Sequence, residues 1–236
     1  MNTENGYENF KNIMGAFLLE IIQDIDMEEI KKNGGYLEQS EFQYQLYHQY
    51  NEIIMSMDSL KLIEKFISIK PPKVKLVNDS NYLMYHVHNY IQEMYILEDR
   101  LKQFIELIVA SYTNLDNKST VLELKKTMIK FIKSNLENFT KYETGARSQH
   151  VHYKRFKDEE IQWLETTIFL STQKDEYIVE SKKAYYIAKM KWLKIIKNNN
   201  KEIVKLLNIY FTTLSSIIAP DGKIHLPEDF KNIQTN

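Results

Sequence analysis

Apolar residues recur at steps of three and four positions along most of the chain, which is the spacing of one face of an α-helix. The clearest stretch covers residues 81–112. Its stripe consists of Leu83, Val87, Ile91, Met94, Leu97, Leu101, Ile105 and Ile108. The same pattern predicts helices over residues 10–30, 42–69, 120–139 and 182–207, and a further helix capped by Asp158. We expect the three asparagines at 198–200 to bend or interrupt the last helix.

Glycine and proline are sparse, with six Gly and four Pro in 236 residues. Between Pro72 and Pro220 only Gly145 interrupts the pattern, which favours long helices over a sheet with its turns. The predicted fold is therefore all-α, a bundle of five to seven helices that include long antiparallel ones. We expect residues 1–75 to form helices that pack on the bundle, residues 76–219 to form the main helical domain, and residues 220–236 to form a C-terminal tail with a turn at Asp221 and Gly222.

Charge and composition narrow the classes of function. The 31 basic and 32 acidic residues nearly cancel, so any nucleic-acid site must be local. The chain has no cysteine, which excludes disulfides, a thiolate nucleophile and Cys-ligated metals. The N-terminus lacks a signal-peptide pattern, and no segment has the about 20 apolar residues of a membrane helix. We expect a soluble, cytoplasmic protein that does not bind membranes.

A local basic segment, residues 141–157, lies between two predicted helices. It holds five basic residues and one acidic residue, a local charge of +4 in a chain of net charge −1. The basic residues are Lys141, Arg147, Lys154, Arg155 and Lys157, and the acidic one is Glu143. Only three arginines occur in the chain, and a guanidinium binds phosphate through two planar contacts that an ammonium cannot make. The segment is a candidate anion site.

Within this segment residues 147–152 read Arg-Ser-Gln-His-Val-His. This resembles the Arg-x4-6-His motif of the HEPN superfamily, the helical ribonucleases and toxins of prokaryotic defence and toxin–antitoxin systems. The surroundings are similar too: a long helix containing residues 96–101, a second helix, a loop, the motif and a last long helix. The resemblance covers about residues 78–196. A common variant of the motif has Asn after the Arg, where this chain has Ser148, which can also donate a hydrogen bond.

The resemblance implies a metal-independent endoribonuclease of toxin or defence type that needs no cofactor. Arg147 would hold phosphate oxygens, and His152 would act as base or acid because the ordinary pKa of an imidazole is about 6.5. One histidine cannot easily serve as both, and HEPN domains pair so that two motifs share one cleft. We therefore expect a homodimer that acts on RNA, with an antitoxin protein as a candidate further partner.

Other residues have expected roles around this pair. HEPN proteins commonly place a polar residue of the preceding long helix near the motif; Glu98 is the candidate, with Glu93, Asn89 and His86 in reserve. The remaining polar and basic positions of the segment are expected to bind RNA. They are Ser148, His150, Lys154, Arg155 and Lys157.

Less specific interpretations stay open. The basic segment can be a solvated loop, and Glu98 can simply pair with a lysine on a neighbouring helix. The His-x-His pairs at 86/88 and 150/152 suggest zinc, but His86 and His88 would diverge on a helix. The lysine run from 182 to 205 is expected to be a solvated helix face, with a surface for RNA or for an anionic membrane as the alternative. Two further hypotheses for the chain are an inactive HEPN-like module that binds RNA, a nucleotide or a protein, and a purely structural scaffold.

Overall fold

The protein is all-α over the residues described by a computed structural model, which are 5–23, 41–73, 78–112, 118–139 and 158–227. Six α-helices and one short 3-10 turn account for these ranges, which contain no strand. The helices are α1 Gly6–Gln23, α2 Glu41–Ser68, α3 Asp79–Tyr112, α4 Lys118–Phe139, α5 Glu159–Gln173 and α6 Ile178–Ile218, with the 3-10 turn at Asp175–Tyr177. The predicted helical bundle is confirmed. None of the described helices carries an apolar stretch that could cross a membrane.

The predicted helix positions agree with α2, α3 and α4 to within two residues at each end. The helix α6 is longer than predicted at both ends, since it begins at Ile178 and continues to Ile218. The predicted end of the first helix near residue 30 and the glycines at 34 and 35 lie outside the described residues.

The chain divides into two compact units. Unit 1 comprises Met1–Ile54, Glu98–Ser134 and Ile203–Asn236, and unit 2 comprises Met55–Leu97 and Asn135–Glu202. Each unit combines separate stretches of sequence. The predicted domain boundaries at residues 75 and 219 stay predictions.

Unit 1 is built around an aromatic cluster whose centre is Phe211 of α6, a fully buried ring. Phe10 of α1 stacks on it with ring centroids 4.7 Å apart, and Tyr50 of α2 meets it edge-on at 6.0 Å. The other rings in contact with Phe211 are Tyr7, Phe104 and Tyr210. Aromatic pairs of this kind contribute about 0.5–1.5 kcal/mol each beyond their buried area. The cluster thus joins α1, α2, α3 and α6 within this unit.

The start of α1 lies unusually close to α6. Gly6 is buried, and a Cβ built on it would overlap the backbone carbonyl oxygen of Asn208 and the hydroxyl oxygen of Thr212. The next residue, Tyr7, donates its backbone N–H to the side-chain oxygen of Asn208 at 3.0 Å. Glycine is required here because any side chain would push the two helices apart.

The chain after α6 turns back at Asp221 and Gly222, as predicted. Gly222 has a φ of 87°, which favours glycine, and its N–H donates to the carbonyl of Ala219 at 3.1 Å. A hydrogen bond with His225 lowers the pKa of the Asp221 carboxyl, helped by the backbone N–H of Lys223. The hydroxyl of Tyr112 donates to the carbonyl of His225, which fixes the returning chain on α3.

Unit 2 contains a buried hydrogen-bond network centred on Asn200. The Asn200 amide nitrogen donates to the carboxylate of Glu64 at 2.8 Å, and its oxygen accepts from the hydroxyl of Tyr90 at 3.2 Å. These partners satisfy the buried amide, and α6 stays helical through all three asparagines. The prediction that residues 198–200 interrupt the helix was wrong, because contacts to other helices outweigh the low helix propensity of asparagine.

The C-terminal end of α2 is capped by side chains from two other helices of unit 2. Lys189 of α6 donates to the carbonyls of Ser68 at 3.0 Å and Ile69 at 2.7 Å. The hydroxyl of Tyr82 of α3 donates to the carbonyl of Phe66 at 3.0 Å. These bonds replace the intrahelical partners that the last carbonyls of a helix lack.

Candidate functional site

Most residues of the predicted ribonuclease site lie outside the described residues. They are Arg147, Ser148, His150, His152, Lys154, Arg155 and Lys157. Their roles therefore stay predictions, and so does the homodimer that would join two copies of the motif. What the structure does describe is the helix on each side of the basic segment, the environment of Glu98, and the three reserve residues on α3.

Both flanks of the basic segment belong to unit 2. On the N-terminal side, α4 ends at Phe139 and holds Leu136, one turn earlier, in a buried position. On the C-terminal side, Asp158 is the N-cap of α5, as predicted: its backbone is extended and its Oδ1 accepts the N–H of Ile161 at 3.0 Å. Ile161 and Leu164 then turn inward and bury the face of α5. The segment is therefore anchored to packed helices at each end.

The cap at Asp158 is reinforced by an ion pair with α6. Lys191 Nζ lies 2.9 Å from Asp158 Oδ2 and also contacts the carboxylate of Glu160. Burial by itself lowers the pKa of Lys191, but the hydrogen bonds to Glu160 and Asp158 outweigh it and leave the pKa raised. Asp158 is buried, so this cluster has the features of a structural clamp at the exit of the basic segment rather than of a proton donor to a substrate.

Glu98 lies on α3 and forms an ion pair with Lys102, one turn further along the same helix. Its side chain is only 15% exposed. The polar residues beside it are also engaged: Arg100 contacts Glu52 of α2 at 3.1 Å, and Asp99 accepts from Gln103. The alternative was a lysine on a neighbouring helix, whereas the lysine with which Glu98 pairs lies on its own helix, α3. Its catalytic role stays a prediction, because such a pair can open when a charged ligand competes for Lys102.

Among the reserve residues, His86 occupies a core position. Its ring is buried and stacks on Phe66 with centroids 5.1 Å apart, while Tyr82 and Tyr85 contact it edge-on. Burial lowers the pKa of His86, which favours the neutral ring. Asn89 and Glu93 are half-exposed on the same helix. A ring packed on three aromatic neighbours cannot also reach a phosphate, so we do not assign His86 to the site.

The described residues contain no group of three or more histidine, cysteine or carboxylate side chains that could hold a metal ion. Tyr185 has a perturbed pKa, raised to about 12 by burial with help from the charge of Asp79 and from Tyr82. Lys189 lies near the ring of Tyr185, 5.8 Å from its centroid. Burial, aided by Lys70, lowers the pKa of Lys189, but its bonds to two backbone carbonyls give it a structural role.

Comparison of the chain with protein-family models, curated proteins and solved structures finds no match. The resemblance to HEPN proteins therefore rests on residues 147–152 and on the order of the helices in the sequence.

A second surface was missed by the sequence reasoning, which took the lysine run of α6 for a solvated face. Six residues follow each other there at alternating steps of four and three on the side of α6 away from the buried Ala184, Ala188 and Trp192. We call them the outer seam: Val179, Lys183, Tyr186, Met190, Leu193 and Lys197. Val179, Tyr186 and Met190 are 60%, 63% and 46% exposed. The alternating spacing was the available signal, but it does not reveal which apolar face of a helix is covered.

Proposed function

We propose that the protein is a metal-independent endoribonuclease of the HEPN type, with a toxin or defence role, that cleaves RNA through a composite site in a homodimer. The observation that carries the proposal is the Arg147–His152 spacing inside a strongly basic segment between two helices of an all-α chain. The flanks support it, because Leu136 of α4 is buried and Asp158 caps α5, so both ends of the segment join packed helices.

The proposed reaction is attack of an RNA 2′-oxygen on its own phosphorus. His152 of one protomer takes the 2′-OH proton while the P–O5′ bond breaks, and His152 of the other protomer protonates the departing 5′-oxygen. Arg147 binds the non-bridging oxygens, where negative charge increases in the transition state. The products are a 2′,3′-cyclic phosphate and a 5′-hydroxyl, so no water and no metal enter this step.

The test is incubation of the purified protein with single-stranded and hairpin RNA in EDTA, with separation of the products on a gel. General acid–base catalysis typically contributes about 10²–10⁴-fold, so we expect His152→Ala to lose at least about 100-fold and Arg147→Ala a comparable factor. Matched controls are His48→Ala at an exposed position and Arg100→Ala at a half-exposed one, which remove the same residue types from unit 1. Equal cleavage by wild type and His152→Ala would reject the proposal.

A second candidate is an inactive HEPN-like module that binds RNA, a nucleotide or a protein. The specific observation in its favour is Ser148, which stands where a common form of the motif has asparagine. This alternative predicts RNA binding that falls with rising salt, through the basic segment, without any cleavage. Growth arrest on expression that His152→Ala relieves would instead support the enzyme.

A further inference from the structure

The outer seam of α6 has the geometry of a helix that is built to pair with another helix. Positions that alternate at steps of four and three form the narrow stripe along which two helices pack side by side, and four of the six seam positions are apolar. The seam from Val179 to Lys197 is about 27 Å long at 1.5 Å per residue, long enough for several turns of contact. Yet three of its four apolar members, Val179, Tyr186 and Met190, are exposed and Leu193 is half-exposed, whereas the opposite side of the same helix is buried in unit 2.

The charges on and beside the seam are almost all positive. Residues 179–201 contain seven lysines and one acidic residue, Glu180, which lies 3.9 Å from Lys183. Lys191 is engaged by Asp158 and Glu160, and Lys189 by the end of α2. The remaining lysines are exposed along the seam and its edges; they are Lys182, Lys183, Lys194, Lys197 and Lys201.

This charge distribution selects among the occupants that an apolar stripe could accept. A second copy of α6 would bring lysine-rich flanks together, and like charges at such positions oppose pairing. A membrane-surface helix keeps its lysines at the border of the apolar face, whereas Lys183 and Lys197 stand in the middle of this seam. Among the seam residues only Tyr186 offers a ring, whereas single-stranded nucleic acid stacks successive bases on several rings, which argues against RNA.

We propose that the outer seam of α6 is a docking surface for an acidic amphipathic helix of a partner protein. Apolar residues of the partner would cover Val179, Tyr186, Met190 and Leu193. Its carboxylates would pair with Lys183 and Lys197 within the seam and with the lysines along its edges. The surface shares no residue with the proposed ribonuclease site, so the two proposals stand or fall separately.

The test uses the full-length protein and two synthetic helical peptides of roughly three heptads with the same leucine seam. One peptide carries glutamates at the flanking positions and the other carries lysines. Binding is followed by fluorescence anisotropy at low and high salt. We expect the glutamate peptide to bind at least about tenfold more tightly than the lysine peptide, with a preference that shrinks as salt rises.

Variants distinguish binding at the outer seam from non-specific binding to exposed apolar side chains. Tyr186→Ala combined with Met190→Ala should weaken binding of the glutamate peptide by about tenfold or more, because it removes the two central apolar contacts. Lys194→Glu combined with Lys197→Glu should abolish the preference for the glutamate peptide, because the three remaining exposed lysines are then balanced by the two new glutamates and Glu180. Phe169→Ala is the control, since Phe169 of α5 is 65% exposed, close to the 63% of Tyr186, but lies outside the seam. Circular dichroism confirms that each variant remains helical.

Several outcomes would overturn the proposal. These are equal affinity for the two peptides, no binding of either, or loss of binding in Phe169→Ala but not in the seam variants. A dimer in sedimentation velocity that Tyr186→Ala dissolves would identify a second copy as the occupant. Binding to phosphatidylserine vesicles that the seam variants abolish, with no binding of the glutamate peptide, would identify a lipid surface.

Discussion

The close approach of α1 to α6 predicts that replacing glycine by alanine has different effects on stability at two positions of α1. Gly6 and Gly15 both lie in α1, and both can be replaced by alanine. At Gly6 the new methyl group would overlap the Asn208 carbonyl, which belongs to the backbone of α6 and cannot rotate away. At Gly15, which is exposed, the same methyl group would have no neighbour within 4 Å. One substitution therefore has opposite consequences at two positions.

The expected magnitudes follow from this geometry. Overpacking costs about 1–3 kcal/mol, and loss of the hydrogen bond from Tyr7 to Asn208 adds about 0.5–1.5 kcal/mol. The better helix propensity of alanine, at most about 1 kcal/mol, offsets part of this at Gly6. We expect Gly6→Ala to lower the free energy of unfolding by about 1–3 kcal/mol. Gly15→Ala should raise it by about 0.5–1 kcal/mol, because only the propensity gain remains.

The assay is urea and thermal unfolding followed by far-ultraviolet circular dichroism. Both tryptophans, Trp163 and Trp192, belong to unit 2, so their fluorescence does not report directly on the unit that contains the glycines. A gap of roughly 4 °C or more should separate the melting temperatures of the two variants. If Gly6→Ala is as stable as wild type or as Gly15→Ala, α1 does not touch α6 at this point and the reasoning fails.

Two further predictions concern unit 2. Burial lowers the pKa of His86, so the unfolded chain binds the proton more readily, and His86 should cost stability as the pH falls below the ordinary imidazole value of about 6.5. His86→Phe keeps a ring on Phe66, and it should reduce the loss of stability that wild type shows between about pH 8 and about pH 5, whereas His48→Phe at an exposed position should not. An unchanged pH profile in His86→Phe would contradict this. Asp158→Ala removes the cap of α5 and one partner of Lys191, and should cost about 1–2 kcal/mol, whereas Asp158→Asn keeps the capping oxygen and should cost less. Urea unfolding followed by tryptophan fluorescence measures the free energy of unfolding of Asp158→Ala and Asp158→Asn. An equal loss in the two variants would show that the capping oxygen does not stabilise α5.

Helix positions were predictable where local chemistry decides them. Asp158 was recognised as an N-cap because a carboxylate before an apolar repeat has one common use. The apolar stripe of α3 was predicted from its spacing, and all eight of its predicted positions are buried in the structure. The uninterrupted helix at residues 198–200 was not, since Asn200 disfavours a helix in isolation and its amide is bound by Glu64 and Tyr90, which lie more than a hundred residues away in sequence.

The candidate sites were predictable to a smaller extent. Arg147 and His152 are identified by spacing alone, and spacing does not say whether two side chains converge. Glu98 was chosen from its position beside the apolar stripe, but its pairing with Lys102 depends on side-chain conformation. The outer seam was hidden for another reason: α6 is apolar on more than one side, and only packing decides which side is covered.

The capping of α2 by Lys189 has a consequence for protein engineering. Pro71 and Pro72 have no N–H to offer, so the terminal carbonyls of the helix depend on a side chain 121 residues further along the chain. Lys73 is therefore not needed to cap α2. It is a suitable point at which to insert an epitope tag or to open the chain for circular permutation, because α2 would keep its C-terminal cap after the cut.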